Sequence, residues 1–282
     1  MTTTNTPAEE DTAVATHDAA TNDYRFDRLS LPLILADMRF NRGDPRAGDP
    51  VPPFDLPTTD GERFRSTALD KPVLMVFGSL TCPLTEASGP GLNQLHRRFG
   101  DQVRFVAVNV REAHPGENVP QPHTAAEKLA QAHAFKDHHR FEFEVAVDDL
   151  DGTLHRAMSP KPNSAYLIDQ TGTIRFRAQW ANDTRGLAEA LAAIVAGESL
   201  RRENLARSVP NLVRSLGYID EVLDRAGPQA KRDLWRSAPP MAAMSALAKL
   251  LSPMSPAKRG PALVALIALA VTSGIALWLG LS

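Results

Sequence analysis

Apolar runs, alternating segments and helical spacing divide the chain into a compact middle and two dissimilar ends. Val73–Phe77 (Val-Leu-Met-Val-Phe) is a short run of β-forming residues between Pro72 and Gly78, and it reads as a buried strand. From Leu84 the spacing becomes helical, through Leu92, Leu95 and Phe99 to a stop at Gly100. Residues 103–110 then form a second strand-like run. Two such runs joined by a helix make a right-handed βαβ unit with parallel strands. A helix over about 123–136, opening at Thr124-Ala-Ala-Glu127, follows. After it come a brief extended piece at 145–147 and one or two helical turns within 150–158. Residues 164–168 and 173–177 flank the turn Asp169-Gln-Thr-Gly172 as an antiparallel hairpin, and a helix over 184–196 closes at Gly197. Upstream, the extended stretch 48–57 leads into a hairpin turning at Asp60-Gly61.

The ends read differently. Residues 1–28 are rich in Thr, Ala, Asn and acids and are expected to be a disordered acidic tail, with no secretion signal. Residues 29–47 form a lead-in whose apolar stretch is too short to span a bilayer. Residues 198–260 read as a basic helical linker. Between 201 and 260 there are eleven Lys or Arg and five acids, a balance that attracts anionic lipid headgroups. Met241–Leu251 is expected to lie as an amphipathic segment on a membrane or to be a solvated linker helix. Residues 262–282 contain no charged side chain, and 261–282 is therefore expected to be a single-pass transmembrane anchor. Lys258 and Arg259 precede it, so the positive-inside rule places the N-terminal domain in the cytoplasm.

The totals narrow the chemistry. Thirty-one basic against 33 acidic residues give no overall signal for nucleic acid. One cysteine, Cys82, excludes an intrachain disulfide and a cysteine-based zinc cluster. His133, His138 and His139 lack the spacing of a metal site, so no metal is expected. Cys82 stands where the first strand hands over to a helix, and free N–H groups and the helix dipole there favour a thiolate. The other reading is a small buried hydrophobe. Because the parallel strands end on one sheet edge, Glu112 and His114 are expected to emerge beside Cys82, either with the imidazole assisting proton transfer and the carboxylate orienting it or as part of a solvated loop.

The order β-α-β-α-β-β-α around such a cysteine resembles the thioredoxin arrangement. The expected fold is therefore α/β: a thioredoxin-like domain over 48–197, a helical C-terminal extension and a C-terminal transmembrane helix. Pro162, just before the third main strand, occupies the place where such folds carry a cis proline facing the thiol; the other reading is an ordinary loop proline. Thr85 takes the position of a second active-site cysteine, so any disulfide cycle must be resolved by an external thiol. Phe77-Gly-Ser-Leu-Thr-Cys-Pro83 with Glu112-Ala-His-Pro115 resembles the iodothyronine deiodinase family, in which selenocysteine occupies the matching position. The likeness extends through Pro122-His123, Val145-Ala-Val-Asp148 and Pro162-Asn-Ser-Ala-Tyr-Leu-Ile168, over about 48–196. It implies that Cys82 is the nucleophile accepting iodine or another soft electrophile, and that Glu112 and His114 assist binding or protonation. Ser79, Thr81, Pro83, Thr85 and Pro162 would shape the pocket. No bound cofactor is implied; the partners would be a small-molecule or thiol substrate, an external thiol reductant and membrane lipids. Thr81-Cys-Pro-Leu-Thr-Glu86 also resembles the cysteine motif of peroxiredoxins, which implies a single-cysteine peroxidase. A third alternative is a non-catalytic platform holding partners at a membrane.

Overall fold

The computed structural model describes residues 24–199, 208–278 and 280. At its centre is a five-stranded sheet of order β5-β4-β3-β6-β7, formed by β3 (Val73–Gly78), β4 (Arg104–Asn109), β5 (Glu144–Val147), β6 (Ala165–Ile168) and β7 (Ile174–Ala178). β3, β4 and β5 run parallel, while β6 and β7 are antiparallel to their neighbours. The piece at 145–147 is thus an edge strand. Every residue of β3 is buried, as a central strand covered on both faces requires. Leu74 and Val76 pack into one core with Leu92, Phe99, Phe135 and Leu187, from α2 (Pro83–Phe99), α3 (Ala125–His139) and α5 (Thr184–Val195). Val73, Met75 and Phe77 face a second core with Phe64, Leu154 and Met158. That face is covered by the hairpin of β1 (Asp55–Pro57) and β2 (Arg63–Arg65) and by α4 (Thr153–Met158).

Local chemistry explains several boundaries. α3 starts on a capping box in which Thr124 Oγ1 accepts from the Glu127 N–H and Glu127 returns a bond to the Thr124 N–H. α5 starts at Asp183, whose carboxylate accepts from the Gly186 N–H.

Two expectations about the ends are corrected. Residues 1–23 lie outside the described residues, but 24–28 are not loose tail. The Tyr24 hydroxyl donates to His155 Nδ1 at 2.9 Å, because Nε2 of that ring is committed to the Lys161 carbonyl at 2.8 Å. Gly152 (φ +64) makes room for the Tyr24 ring: a Cβ there would lie 1.9 Å from it. The lead-in contains a short helix, α1 (Leu31–Asp37).

The stretch read as a linker is a packed helical unit: α6 (Ser208–Ser215), a 3-10 turn (Leu216–Tyr218), α7 (Ile219–Ala226), α8 (Pro228–Ser237) and α9 (Pro239–Lys249). Ile219, Leu223, Ala226, Leu234 and Ala242 form its core with Leu29 of the lead-in. Met241–Leu251 falls mostly on α9, whose Ala242, Ser245 and Ala248 are buried against protein. Most of the described basic side chains are already paired, Lys231 and Lys249 with Asp220 and Asp224, Arg259 with Glu221, Arg232 with Glu117. The lipid-facing basic stripe expected over 201–260 is therefore reduced to a few groups; Arg201, Arg202 and Arg207 lie outside the described residues. α10 (Pro256–Trp278) is 23 residues long and contains an 18-residue stretch of mean hydropathy 2.1, and Gly260 and Leu263 alone among its described residues are buried. By length and composition it is able to cross a membrane.

Candidate active site around Cys82

The turn from β3 into α2 carries Ser79-Leu-Thr-Cys82, and the loop leaving the parallel strand β4 carries Glu112-Ala-His114. Matching strand ends bring the two loops together, as expected. Polar bonds then lace them. The Thr81 N–H and hydroxyl donate to Glu112 Oε2 at 2.8 and 2.6 Å, and the His114 N–H donates to Thr81 Oγ1 at 3.1 Å. The Ala113 N–H donates to Ser79 Oγ at 3.3 Å. Gln121 holds both the N–H and the carbonyl of Glu112 at 2.9 Å. Glu112 is fully buried, and burial pushes its carboxyl up against the opposing effects of Thr81 and Lys128. Contrary to the expected orienting contact, the carboxylate grips the backbone and hydroxyl of Thr81 before Cys82 and makes no bond to the imidazole among the described residues. Lys128, which donates to the Val110 carbonyl, is itself buried, and burial lowers its ammonium to about 8.

Cys82 is the N-cap residue of α2, with Pro83 in the first turn. The expectation of an exposed, ionised thiol is overturned. Cys82 is 1% exposed and packs with Leu84, Trp180 and Ala113. Burial pushes its thiol up to about 11, although the Thr85 hydroxyl and the amides of Thr85 and Leu84 act the other way. Desolvation outweighs the helix start. Thr85 is held in turn by Asn163 Nδ2 at 3.3 Å. Every described peptide bond is trans, so of the two readings of Pro162 the ordinary loop proline holds, and Pro162 lines the thiol's cavity.

That cavity, about 280 Å³, is walled by Cys82, Pro83, His114, Pro162 and Trp180 from the domain. Its other walls come from the ends of the chain: Ile34, Asp37 and Met38 around α1, Leu212, Val213 and Leu216 of α6 and the 3-10 turn, and Met241 and Met244 of α9. Thiol and imidazole thus share one chamber. Burial lowers the His114 imidazole to about 4, and its Nδ1 has no partner among the described residues. Asp37 is pushed up to about 6 by burial, with Arg111 at 3.6 Å and Lys161 opposing. Nothing local to Asp37, Trp180 or Met244 in the sequence marks them as neighbours of Cys82.

The cover is fastened at named points. Arg225 of α7 donates to the Leu80 carbonyl and to Glu86 Oε2, both at 2.8 Å. Glu117, three residues after His114, accepts from the Gln229 N–H at 2.8 Å and binds Arg232 at 3.0 Å. The Asn118 N–H donates to the Ala226 carbonyl at 3.0 Å. Of the three clustered histidines, His138 and His139 join Glu86 with ligand atoms within 4.8 Å of one another, whereas His133 stands apart. The Glu86 carboxylate there is already taken by His138 Nε2 at 2.9 Å and by Arg225, whose charge opposes a cation.

Residues 47–177 match the model of the AhpC/TSA family. A thioredoxin-like protein, YneN of Bacillus subtilis (strain 168), is 26% identical over 129 residues, 45% of this chain and 68% of that protein. Similar solved structures include an uncharacterized conserved protein from Geobacillus kaustophilus, at 18% identity and TM-score 0.45 over 56% of this chain and 88% of that one. A putative thiol:disulfide interchange protein DsbE from Chlorobium tepidum is 25% identical, with TM-score 0.37 over 48% of this chain and 85% of that one. Peroxidoxin BcpB from Mycobacterium tuberculosis is 19% identical, with TM-score 0.40 over 54% of this chain and 97% of that one. The AhpC/TSA match and the thioredoxin-like relative do not single out the deiodinases. With the sheet order and the family match together, the chain is a thioredoxin-like α/β domain bearing a helical C-terminal extension and one apolar C-terminal helix.

Proposed function

We propose that this protein is a membrane-anchored, deiodinase-like thiol oxidoreductase, its catalytic domain on the cytoplasmic side, acting on a small apolar electrophile with Cys82 as its sole redox thiol. The observation that carries the reading is the shared chamber: a buried thiol and a neutral imidazole line one apolar cavity. A soft carbon–iodine bond suits such walls better than a charged peptide thiol does. In the first step the Cys82 S–H and the substrate's carbon–iodine bond break, while a sulfur–iodine and a carbon–hydrogen bond form. The carbon is reduced and the sulfur oxidised. Two external thiols then restore Cys82 as a thiol, releasing iodide, a proton and their own disulfide.

Burial pushes the thiol up and the imidazole down, so proton transfer from Cys82 to His114 is uphill in the covered state. The covered state therefore stores an unreactive thiol, and turnover begins when the cover shifts and Cys82 is rehydrated or meets its substrate. His114 then serves as proton carrier, and Glu112 keeps Thr81 and the Cys82 turn in place.

The test is thiol-dependent iodide release from an iodinated phenol. Cys82→Ser should abolish it and His114→Ala should lower it on the order of 100-fold; unchanged release from Cys82→Ser overturns the proposal. The AhpC/TSA match over 47–177 favours a second reading, a single-cysteine peroxidase. Stoichiometric sulfenic acid at Cys82 with dilute peroxide, and no iodide release, would establish that one instead.

A further inference from the structure

The wall of the Cys82 cavity that faces away from the domain is built by the same elements that carry α10. Val213 and Leu216 line the cavity, and Gly260 of α10 packs directly behind them: a Cβ at Gly260 would lie 1.9 Å from the Val213 carbonyl oxygen and 3.3 Å from Leu216 Cβ. The contact is reciprocal, since a Cβ at Gly217 would lie 2.0 Å from the Pro256 carbonyl oxygen. Both glycines thus let α10 approach the wall backbone to backbone. Arg259 is the last charged residue, with Lys258 before it on the domain side, so a spanning α10 holds the adjacent Gly260 at the depth of the lipid headgroups. The cavity then lies within about one helix diameter, roughly 10–12 Å, of the membrane surface.

Two further features agree. Val209 of α6 and Leu250, just past α9, are 70% and 75% exposed, and Leu247 and Met254 are also exposed. Large apolar side chains on the elements next to an anchor fit a unit seated in the bilayer interface. The outer wall also includes Met241 and Met244, flexible side chains that yield to an apolar guest.

From this juxtaposition we infer that the Cys82 cavity is loaded from the lipid phase, so that its substrate is an uncharged, bilayer-dissolved molecule that enters past Met241 and Met244 of α9, beside the wall that α10 supports. The inference rests on Cys82 being the functional thiol and on α10 being the anchor, as proposed above. It names the substrate class: a lipophilic electrophile, small enough for about 280 Å³ at its reacting end.

Because Cys82 is the chain's one cysteine, mass spectrometry reads its modification directly. The full-length chain is reconstituted in phosphatidylcholine vesicles and treated with N-dodecylmaleimide or with a sulfonated, water-soluble maleimide. A Cys82→Ala, Glu62→Cys chain provides the comparison, since residue 62 is exposed on the β1–β2 hairpin. The lipid-soluble reagent should modify Cys82 at least tenfold faster than the charged one, with the opposite order at position 62. Met244→Lys should remove the advantage at Cys82. Equal rates, a faster charged reagent, or failure of the chain to float with the vesicles overturns the inference. The wild-type rate ratio tests it whether or not the variant folds. Labelling needs no turnover, so a chain labelled from the bilayer without iodide release keeps this inference and loses the proposed reaction. Equal labelling with Cys82-dependent iodide release does the reverse.

Discussion

Raising the pH on wild type and Cys82→Ala measures how firmly the fold holds Cys82 as a thiol. The side chain is 1% exposed, and burial moves its ionisation up to about 11, whereas a free thiol ionises near 8.5, so the difference amounts to about 3 kcal/mol. The unfolded chain sheds this proton first. The contribution of the neutral buried thiol is therefore intact below about pH 8.5 and is lost progressively as pH rises towards 11. Guanidinium unfolding of the full chain in a non-ionic detergent, followed by circular dichroism between pH 8 and 11, should show the wild type losing about 3 kcal/mol relative to Cys82→Ala. Subtracting the variant removes the titrations common to both. Reactivity gives an independent measure. At pH 7.5 a thiol of this acidity is thiolate in about 3 molecules per 10,000 against roughly one in ten for free cysteine, so iodoacetamide should react about 300-fold more slowly. A wild-type-minus-variant difference that stays flat to pH 11, or alkylation at the free-cysteine rate, would mean that the helix start outweighs desolvation and that the cover does not seal the thiol.

Three other outcomes follow from named contacts. Arg225→Ala removes the bonds to the Leu80 carbonyl and Glu86; it should cost about 2 kcal/mol and raise the rate of Cys82 alkylation on the order of tenfold, and an unchanged rate would show that the cover is held elsewhere. His114 is kept neutral, its pKa lowered to about 4, so the unfolded chain protonates first as the pH falls. Its contribution is complete above about 6.5 and lost between there and 4, about 3 kcal/mol in all, and His114→Gln should flatten that limb of the acid unfolding profile. Tyr24→Phe deletes the hydroxyl that meets His155 Nδ1 while keeping the ring over Gly152; unfolding should show a loss of about 1 kcal/mol with turnover unaffected.

The amino-acid sequence by itself determined the frame. The β-forming run at 73–77, the helix behind it and the run at 103–110 dictate parallel strands ending together, and that topology is enough to bring Cys82 and His114 to one sheet edge. An uncharged segment of 21 residues specifies a helix able to span a bilayer whatever surrounds it. Tertiary structure alone decided the state of the sulfur. The effects of a helix start on a thiol are local and can be read at the junction, but desolvation belongs to whatever lies on top, and here that is Trp180 and helices more than a hundred residues downstream. The apolar positions of 208–249 require a buried face without naming what it is buried against. Glu112 illustrates the same division: its place beside the thiol loop follows from the strands, but its choice of Thr81 over the imidazole follows from side-chain packing. Secondary structure and topology arise from periodicity and chain connectivity, which a sequence displays; burial and pKa arise from long-range contact, which it does not.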